Sequence, residues 1–235
     1  KELGYAEADP TADIEGHDPC RKIAILSSIA FGATVDYEKI STEGISGISR
    51  EDMAYARELG LKIKLLATSE RTDGGYHAMV APFLIGRENP LYNVDDVYNA
   101  VFVNGNMLGD AMFYGSGAGK LPTASAVVGD VIDMARNRDR TLPVNWDPDA
   151  EELGLLGTDL MSFGYFVRTN DDISRVRDLF GPDVRILKTP GELKETAFIT
   201  PVMSEKAFNE AYAGLSGAIT RIRIKNCTEE QNVNR

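Results

Sequence analysis

A lysine and several carboxylates crowd the start of one apolar segment of this 235-residue chain. Asp18 and Lys22 are four residues apart, so they are neighbours on one face if the segment is a helix. A lysine one turn inside an otherwise apolar helix loses water contacts, which lowers its pKa and makes it a workable general acid. We therefore expect Lys22 to be a proton donor that nearby carboxylates hold in place. The plainer alternative is that Asp18 caps the helix and forms a solvated ion pair with Lys22, since such pairs are common and weak.

A second candidate site is the glycine-rich run at residues 115–119, which separates a predicted strand from a predicted helix. Backbone amides in such a loop can approach an anion or a cofactor ring, and the helix start adds positive potential. The run does not match a Walker phosphate loop, because Tyr114 and Leu121 stand where glycine and a hydroxyl residue are needed. It does not match the dinucleotide fingerprint either, because Lys120 replaces the third glycine. A tight strand-to-helix turn without a ligand is the alternative interpretation.

Two helices are predicted in the first part of the chain. Asp18 is followed by a proline, and this pair favours a helix start because aspartate accepts hydrogen bonds from first-turn amides. Almost every residue over Ile23–Phe31 is apolar or small, so we expect this helix to be buried nearly all round. A Ser-x-x-Asp pattern at Ser49 and a terminating Gly60 predict a second helix over about residues 49–59.

Strand-like runs follow, separated by glycine, asparagine and proline turns, and we expect them to form one mixed sheet. The glycine run then leads into a helix from Pro122 to about Arg136. The prolines and charges of residues 137–158 predict a linker, in which we expect Trp146 to serve packing. The strand-like runs are Lys62–Ala67, His77–Ile85, Ala100–Val103 and Asp110–Tyr114.

The rest of the chain has strand and helix patterns in the order βαββαβ, which is the ferredoxin-like split motif. The predicted fold class is therefore α+β, with an α/β-type mixed sheet covered by helices and then a smaller ferredoxin-like domain. We place the two domains at residues 1–157 and 158–235. The predicted tail elements are strand Ser162–Arg168, helix Asp172–Phe180, strand Val184–Leu187, strand Thr196–Val202, helix Ser204–Gly214 and strand Ala218–Lys225.

Charge and composition argue against several classes of function. Thirty-six acidic against 25 basic residues give a net charge of −11, which disfavours binding to nucleic acid. No apolar run approaches the roughly 20 residues that a membrane span requires, and the N-terminus has no signal pattern, so no membrane partner is predicted. Cys20 and Cys227 are too few for a disulfide scaffold, which favours a cytoplasmic location. His17 and His77 are too few and too far apart to indicate a metal site.

Together, the acidic segment and the glycine run resemble homoserine dehydrogenases over nearly all of residues 1–136. In that family a Glu-x-Asp-Pro segment precedes Asp, Gly and Asp-x-x-x-Lys at the head of a helix. The family's Gly-x-Gly-Ala-Gly-x-x-Pro-Thr-Ala-Ser-Ala-Val-Val-x-Asp loop resembles residues 115–130, although Ser116 stands where proline is usual. The matching residues are Glu7–Pro10, Asp13, Gly16, Asp18, Lys22, Glu58–Gly60, Ile63–Ala67, Asn99–Val101 and Met112–Tyr114.

The resemblance implies a reaction, the reversible reduction of aspartate 4-semialdehyde to homoserine by NADP or NAD. This is a branch step toward threonine, methionine and isoleucine. Lys22 would match the family's proton donor, because an ammonium near the aldehyde oxygen both stabilises the developing charge and supplies the proton. Glu7 and Asp18 would hold the substrate's amino group and orient the lysine, with Asp13 as a supporting carboxylate. The backbone that would lie against the cofactor is Gly115, Gly117, Ala118 and Gly119.

The resemblance also implies a dinucleotide-binding half ahead of this segment, and the 235 residues contain no copy of its glycine fingerprint. The chain opens at Lys1 without methionine, so we expect it to be part of a longer polypeptide. Since the main cofactor-binding half is missing, we expect the isolated chain to have little or no dehydrogenase activity.

The βαββαβ tail resembles the ACT domains that end many bacterial homoserine dehydrogenases and mediate feedback by threonine. Such domains often bind an amino acid at a glycine-containing turn after the first strand, whereas Thr169–Ile173 has no glycine. Binding of a threonine effector, and hence allosteric control, is therefore a hypothesis. The resemblance further implies association through the first domain, as a homodimer or homotetramer.

Two other functions stay open. The first is a non-enzymatic amino-acid-sensing or dimerisation module, which has no need for a lysine facing carboxylates at the head of an apolar helix. The second is a small-molecule enzyme that does not use nicotinamide. The failed Walker pattern and the absence of metal-ligand spacing make the usual chemistries of that class unattractive.

Overall fold

A computed structural model of the chain describes residues 9–141, 143–147, 149–150, 153–191 and 194–225. It contains both helices and strands, in agreement with the α+β class. The helices are α1 (Thr11–Ile14), α2 (His17–Phe31), α3 (Arg50–Glu58), α4 (Lys120–Arg136), α5 (Ile173–Phe180) and α6 (Glu205–Tyr212). The strands are β1 (Gly32–Ala33), β2 (Ser41–Thr42), β3 (Lys62–Thr72), β4 (Gly75–Ile85), β5 (Tyr98–Gly105), β6 (Gly109–Ser116), β7 (Trp146–Asp147), β8 (Ser162–Thr169), β9 (Arg185–Ile186), β10 (Thr196–Ile199), β11 (Met203–Ser204) and β12 (Ala218–Ile224).

The main sheet is mixed and contains eight of the described strands. β3 and β4 form an antiparallel pair eleven residues long. β2 and β12 both run parallel to β4, so a strand from the tail joins the same sheet as the strands of the first half. β8 then pairs with β12, and β10 lies between β8 and β9, all antiparallel. The short β11 pairs with the start of β8.

The tail elements follow each other as β8, α5, β9, β10, α6 and β12, apart from the short β11, and the strand order in space is β12-β8-β10-β9. This is the predicted βαββαβ order. Two strands are shorter than predicted, because β9 has two residues and β10 ends at Ile199. Asp172 caps α5 through its side chain, and Ser204 caps α6 in the same way.

The core lies on both faces of this sheet. On one face, α2 packs Cys20 and Ala24 against Val80, while α3 packs Tyr55 against Leu84. The other face is aromatic: the rings of Tyr165 and Phe208 are stacked with centroids 3.5 Å apart, and Phe180 packs against Phe198 and Phe208. Helices therefore cover the mixed sheet, as the sequence predicts. None of the helices in the described part of the chain is long and apolar enough to cross a membrane.

The described chain divides into two compact units, and the dividing points differ from the predicted boundary. One unit comprises residues 11–86 and 146–225, and the other comprises residues 9–10 and 87–145. The division into domains 1–157 and 158–235 stays a prediction. The smaller unit contains the β5–β6 hairpin and α4. Many of its apolar side chains face water, including Phe113, which is 69% exposed.

Three expectations about local structure are wrong. The predicted runs do not form one sheet, because β5 and β6 pair only with each other among the described strands. Helix α2 is not buried all round: Ile25, Leu26 and Ile29 are each at least 40% exposed, because its small residues face the sheet. The predicted linker contains ordered pairing, since β7 runs parallel to β1 and the Trp146 indole N–H donates to Thr34.

Candidate functional site

The turn that leads into α2 is built around a glycine. Gly16 has a left-handed backbone with φ of 79°, a conformation that favours glycine, and it is the N-cap of α2. A Cβ at this position would lie 3.0 Å from Val80 and 3.2 Å from Thr42, so there is little room for a side chain. The expectation that Asp18 caps the helix is wrong, because the N-cap of α2 is Gly16, two residues earlier, and it makes no side-chain cap hydrogen bond. Asp18 instead lies in the first turn, where the helix dipole favours a negative charge.

Residues 42–45 pack directly against this turn, and we call them the seat segment. The Ile45 amide donates to the Ile14 carbonyl at 2.8 Å. A Cβ on Gly44 would lie 2.6 Å from both the Ile14 oxygen and the Glu15 Cα, so the two backbones touch directly. The Glu43 amide in turn donates to the Val80 carbonyl at 2.8 Å, which fixes the seat segment to β4.

Lys22 and Asp18 form an ion pair on the surface of α2. The Lys22 Nζ lies 2.7 Å from Asp18 Oδ2, with the lysine side chain 67% exposed and the aspartate side chain 40% exposed. The expectation of a desolvated ammonium is therefore wrong for this chain, because no described element covers the first turn of α2 on that side. The geometry alone corresponds to the plainer alternative of a solvated pair four residues apart.

The other predicted substrate residues are only partly observed. Asp13 lies in α1 and is exposed, so Asp13 and Asp18 flank Gly16 in a short acidic turn, residues 13–18. Glu7 lies outside the described residues. The structure thus brings together Asp13, Asp18 and Lys22 within one turn and the helix that follows it.

The glycine run lies in the smaller unit, between β6 and α4. Gly119 is the N-cap of α4, with φ of 115° and no side-chain cap hydrogen bond. Gly115 faces Asn99 in the hairpin register, and a Cβ on Gly117 would collide with the Asn99 side-chain amide. A side chain at 117 would therefore displace the Asn99 side chain, whereas a Cβ on Gly115 would meet nothing within 4 Å. Ala118 follows Gly117 in this exposed loop.

Two cavities open beside α2, and neither is lined by Asp18 or Lys22. The larger has a volume of about 730 Å³ and is lined mainly by apolar and aromatic side chains with a few charged ones. The smaller, about 220 Å³, lies against the buried thiol of Cys20, which donates to the Tyr37 carbonyl. The sequence analysis named some of these residues, such as Cys20 and Trp146, but predicted no cavity from them, because a cavity depends on how segments distant in sequence pack together. The charged residues of the larger cavity are Arg21, Asp36 and Lys39.

Two buried arginines join the tail strands to the first half of the larger unit. The Arg223 cluster consists of Arg223, Glu43 and Glu205: Nη1 donates to Glu43 at 2.7 Å, while Nε and Nη2 donate to Glu205. Arg223 is 3% exposed. Burial lowers the pKa of its guanidinium, but the hydrogen bonds to Glu205 and Glu43 outweigh this effect and leave the pKa raised.

The Arg168 cluster consists of Arg168, Asp52, Glu195 and Ser49. Its guanidinium makes a two-point contact with Glu195 at 2.9 Å and donates to Asp52 at 2.8 Å and to the Ser49 hydroxyl. Tyr55 also donates to Glu195, and burial is the largest cause of the rise in its pKa to about 12. The sequence carried a weak signal for both clusters, namely arginines placed within strands that are otherwise rich in apolar residues.

Comparisons with known proteins agree with the mixed α+β architecture. The family model described as homoserine dehydrogenase matches residues 1–132. A homoserine dehydrogenase from Neisseria gonorrhoeae is 53% identical over 134 residues, which are 57% of this chain and 31% of that protein. One from Pseudomonas aeruginosa is 36% identical over 95% of this chain and 57% of its own length.

A crystal structure of a homoserine dehydrogenase from Thiobacillus denitrificans superimposes with a TM-score of 0.83 at 37% identity. The match covers 96% of this chain and 56% of that one. The chain is thus an α+β protein with a multi-strand mixed sheet that spans little more than half the length of such relatives. It belongs to the homoserine dehydrogenase family.

Proposed function

We propose that this chain carries the substrate site for the interconversion of aspartate 4-semialdehyde and homoserine, in the biosynthesis of threonine, methionine and isoleucine. The observation that carries the proposal is the acidic turn at the head of α2, where Asp18 holds the Lys22 ammonium at 2.7 Å. The spacing of Asp18 and Lys22 resembles the Asp-x-x-x-Lys motif of the homoserine dehydrogenases, and this resemblance supports a chemical role for an otherwise ordinary surface pair.

In this proposal Lys22 moves the proton. A nicotinamide cofactor, when bound, supplies the hydride that the aldehyde carbon receives. Negative charge then develops on the aldehyde oxygen, where the Lys22 ammonium stabilises it and donates the proton that completes the hydroxyl. Asp18 orients the lysine, and Asp13 adds negative charge that attracts the substrate's ammonium group. In the reverse direction neutral Lys22 takes the hydroxyl proton back.

The proposed role of the glycine run is to bind one edge of a cofactor and not its whole length. Gly119 leaves the N-terminus of α4 without a side-chain cap, so first-turn amides face outward with the positive end of the helix dipole. The run lacks the dinucleotide fingerprint, because Lys120 stands in place of its third glycine. We therefore propose that Gly115, Gly117, Ala118 and Gly119 flank NAD or NADP, and that the chain alone turns over little or no substrate.

Calorimetric titration with homoserine tests the substrate site, and the chain offers a matched control. Asp18 and Asp36 each pair with a lysine three or four residues away, and their side chains are 40% and 39% exposed. We expect Asp18→Asn to weaken homoserine binding about tenfold, whereas Asp36→Asn leaves it unchanged. An unmodified chain that gives no heat with homoserine contradicts the proposal.

A turnover assay tests the proposed lack of activity. The chain is incubated with homoserine and either NAD or NADP, and reduced cofactor is followed by its absorbance. We expect no turnover above the buffer rate. Robust turnover by the chain alone would contradict the proposal that its main cofactor-binding half lies elsewhere.

We also propose that the βαββαβ tail is an ACT-like domain. The supporting observation is the strand order β12-β8-β10-β9 with two helices on the aromatic face. Asp171 closes the turn after β8, because it accepts hydrogen bonds from Thr169, Ser216 and Gly217. Threonine is the effector to test, by calorimetry and thermal shift. No heat and no shift would contradict threonine binding.

A homodimer is the assembly we propose, built on the main sheet. Its supporting observation is β3, an eleven-residue strand that pairs only with β4 among the described strands. We place the contact with a second copy at the edge of β3 that faces away from β4, where a strand of that copy would extend the sheet. Light scattering during size-exclusion chromatography should give twice the 25.7 kDa of one chain. A monomer mass would contradict this assembly.

A further inference from the structure

The Arg223 cluster lies beside the seat segment, at the point where the last strand meets the first half of the larger unit. Its guanidinium is held on two sides, by Glu205 at the start of α6 and by Glu43 in the seat segment. Glu205 is itself 4% exposed, so that side of the cluster is fixed in the core. Arg223 therefore ties the position of the Glu43 carboxylate to the tail of the chain.

Glu43 is anchored at two points. Its carboxylate accepts from Arg223 at 2.7 Å and lies 3.5 Å from Arg221, while its backbone amide donates to Val80. The next residue, Gly44, is the one that touches the backbone of Ile14 and Glu15. Only Gly44 therefore lies between the Arg223–Glu43 ion pair and the backbone of the acidic turn.

The acidic turn has little freedom to move independently of this seat. The Ile45 amide holds the Ile14 carbonyl, and the space beside Gly16 is filled by Thr42 from the same segment. Gly16 in turn begins α2, since its carbonyl accepts the Cys20 amide at 3.0 Å. A displacement of the seat segment would thus be passed to Asp18 in the first turn of α2.

We propose that Arg223 is a positioning residue for the candidate substrate site, acting through Glu43 on the seat of the acidic turn. Strand β12, which carries Arg223, then helps to hold that site in position. The part of this inference that concerns the substrate rests on the proposed function. The part that concerns the position of the acidic turn stands on the contacts alone.

The test uses the whole 235-residue chain and removes one carboxylate from each cluster. Glu43→Ala leaves Arg223 paired with Glu205, and the matched control Glu195→Ala leaves Arg168 paired with Asp52. In both variants the buried arginine keeps one carboxylate partner, so we expect both to fold. Amide hydrogen exchange at Ile45 and across the acidic turn should rise about tenfold in Glu43→Ala and stay within about twofold in Glu195→Ala.

Conservative replacement separates positioning from a general loss of stability. Glu43→Gln retains an oxygen that accepts from Arg223, so it should restore most of the exchange protection in the acidic turn. Unchanged exchange in Glu43→Ala, or an equal rise in both alanine variants after correction for global stability, would overturn the inference. Failure of Glu43→Gln to restore any protection would also overturn it.

Homoserine titration then distinguishes this inference from the proposed function. If the unmodified chain binds homoserine, Glu43→Ala should weaken binding about tenfold and Glu195→Ala should not. Equal binding by the unmodified chain and Glu43→Ala would overturn the positioning role. If the unmodified chain binds no homoserine, the proposed function fails, while faster exchange confined to the acidic turn would still support the structural link.

Discussion

The Arg168 and Arg223 clusters each pair one arginine with two carboxylates, but they lie on opposite faces of the main sheet. Arg223 faces Tyr165 across the β8–β12 pair, and Arg168 faces Thr220. Positions 165 and 168 on one strand differ by three, so their side chains point to opposite faces. Each arginine joins a tail strand to an element from the first half of the larger unit.

The clusters differ in how deeply their carboxylates are buried. Asp52 and Glu195 have side chains that are 0% and 7% exposed, whereas Glu43 in the Arg223 cluster is 37% exposed. The Arg168 cluster is therefore an almost completely buried contact between α3 and the tail. The Arg223 cluster has one buried carboxylate and one that water reaches, so its outer half can change without leaving a buried charge unpaired.

The largest expected effect comes from removing the arginines. Arg168→Ala leaves two buried carboxylates without a positively charged partner and should lower the free energy of unfolding by about 3–5 kcal/mol. Arg223→Ala should cost less, because only Glu205 is left buried and Glu43 can be solvated. Urea denaturation of both variants measures the difference.

An exposed arginine provides the control for this pair. Arg185 on β9 is exposed, and Arg185→Ala should change the free energy of unfolding by no more than about 0.5 kcal/mol. Equal losses for Arg168→Ala and Arg223→Ala would break the comparison, since they would mean that carboxylate burial does not distinguish the two clusters.

Local signals in the sequence were sufficient for much of the fold. The Ser49 capping box, the termination near Gly60 and the βαββαβ order of the tail were all predicted and are present. These features depend on neighbours in sequence, where capping and alternation carry information. The pairing of β12 with β4 was not predicted, because it joins residues about 140 positions apart and no local pattern encodes it.

The candidate site was likewise predicted in its local features but not in its long-range contacts. The spacing of Asp18 and Lys22 predicted their ion pair, because four residues make one helical turn. Their exposure agrees with the plainer alternative of a solvated pair and not with the expected desolvated lysine. The sequence could not decide between the two, because the apolar pattern of α2 gives the number of its apolar residues but not which of them are covered. The link from Arg223 to Glu43 spans 180 residues and depends on how the strands are ordered, so only the three-dimensional fold reveals it.

A smaller effect is expected where the seat segment touches the acidic turn. Gly44→Ala would place a methyl group 2.6 Å from backbone atoms of Ile14 and Glu15, which cannot move as a flexible side chain can. We expect a loss of about 1–3 kcal/mol in the free energy of unfolding, typical of overpacking. Thermal and urea denaturation measure it.

Gly47→Ala is the control for this substitution. Gly47 lies three residues further on, and a Cβ there would meet nothing within 4 Å. Its replacement should be tolerated. A Gly44→Ala variant as stable as Gly47→Ala would mean that the seat segment and the acidic turn are not in close contact, and the Arg223 cluster would then differ from the Arg168 cluster only in burial.

Another carboxylate, Asp171, makes its contacts within the tail and not between the halves of the larger unit. Hydrogen bonds from Ser216, Thr169 and Gly217 hold its pKa well below the usual range. A lowered pKa in the folded state gives stability that is complete above the unfolded value of about 4 and is lost as pH falls toward the folded value. Asp171→Asn should therefore be less stable than the unmodified chain at pH 7, by less than Gly44→Ala.

The pH dependence of this difference is the measurement. Thermal denaturation at pH 7, 4 and 2 should show the two proteins converging as pH falls. A difference that stays constant over this range would contradict a charge-dependent role for Asp171 and would leave the two arginine clusters as the ionic contacts that stabilise the tail.

The smallest effect is expected for the exposed pair that carries the proposed function. Lys22→Met removes an ion pair between side chains that are 67% and 40% exposed, so water already solvates both charges. The free energy of unfolding should change by no more than about 0.5 kcal/mol, in contrast to the buried clusters. A loss of several kcal/mol would mean that Lys22 is a structural residue. A negligible loss of stability would mean that Lys22 contributes little to folding. Any effect of Lys22→Met on activity could then be assigned to proton transfer and not to loss of the fold.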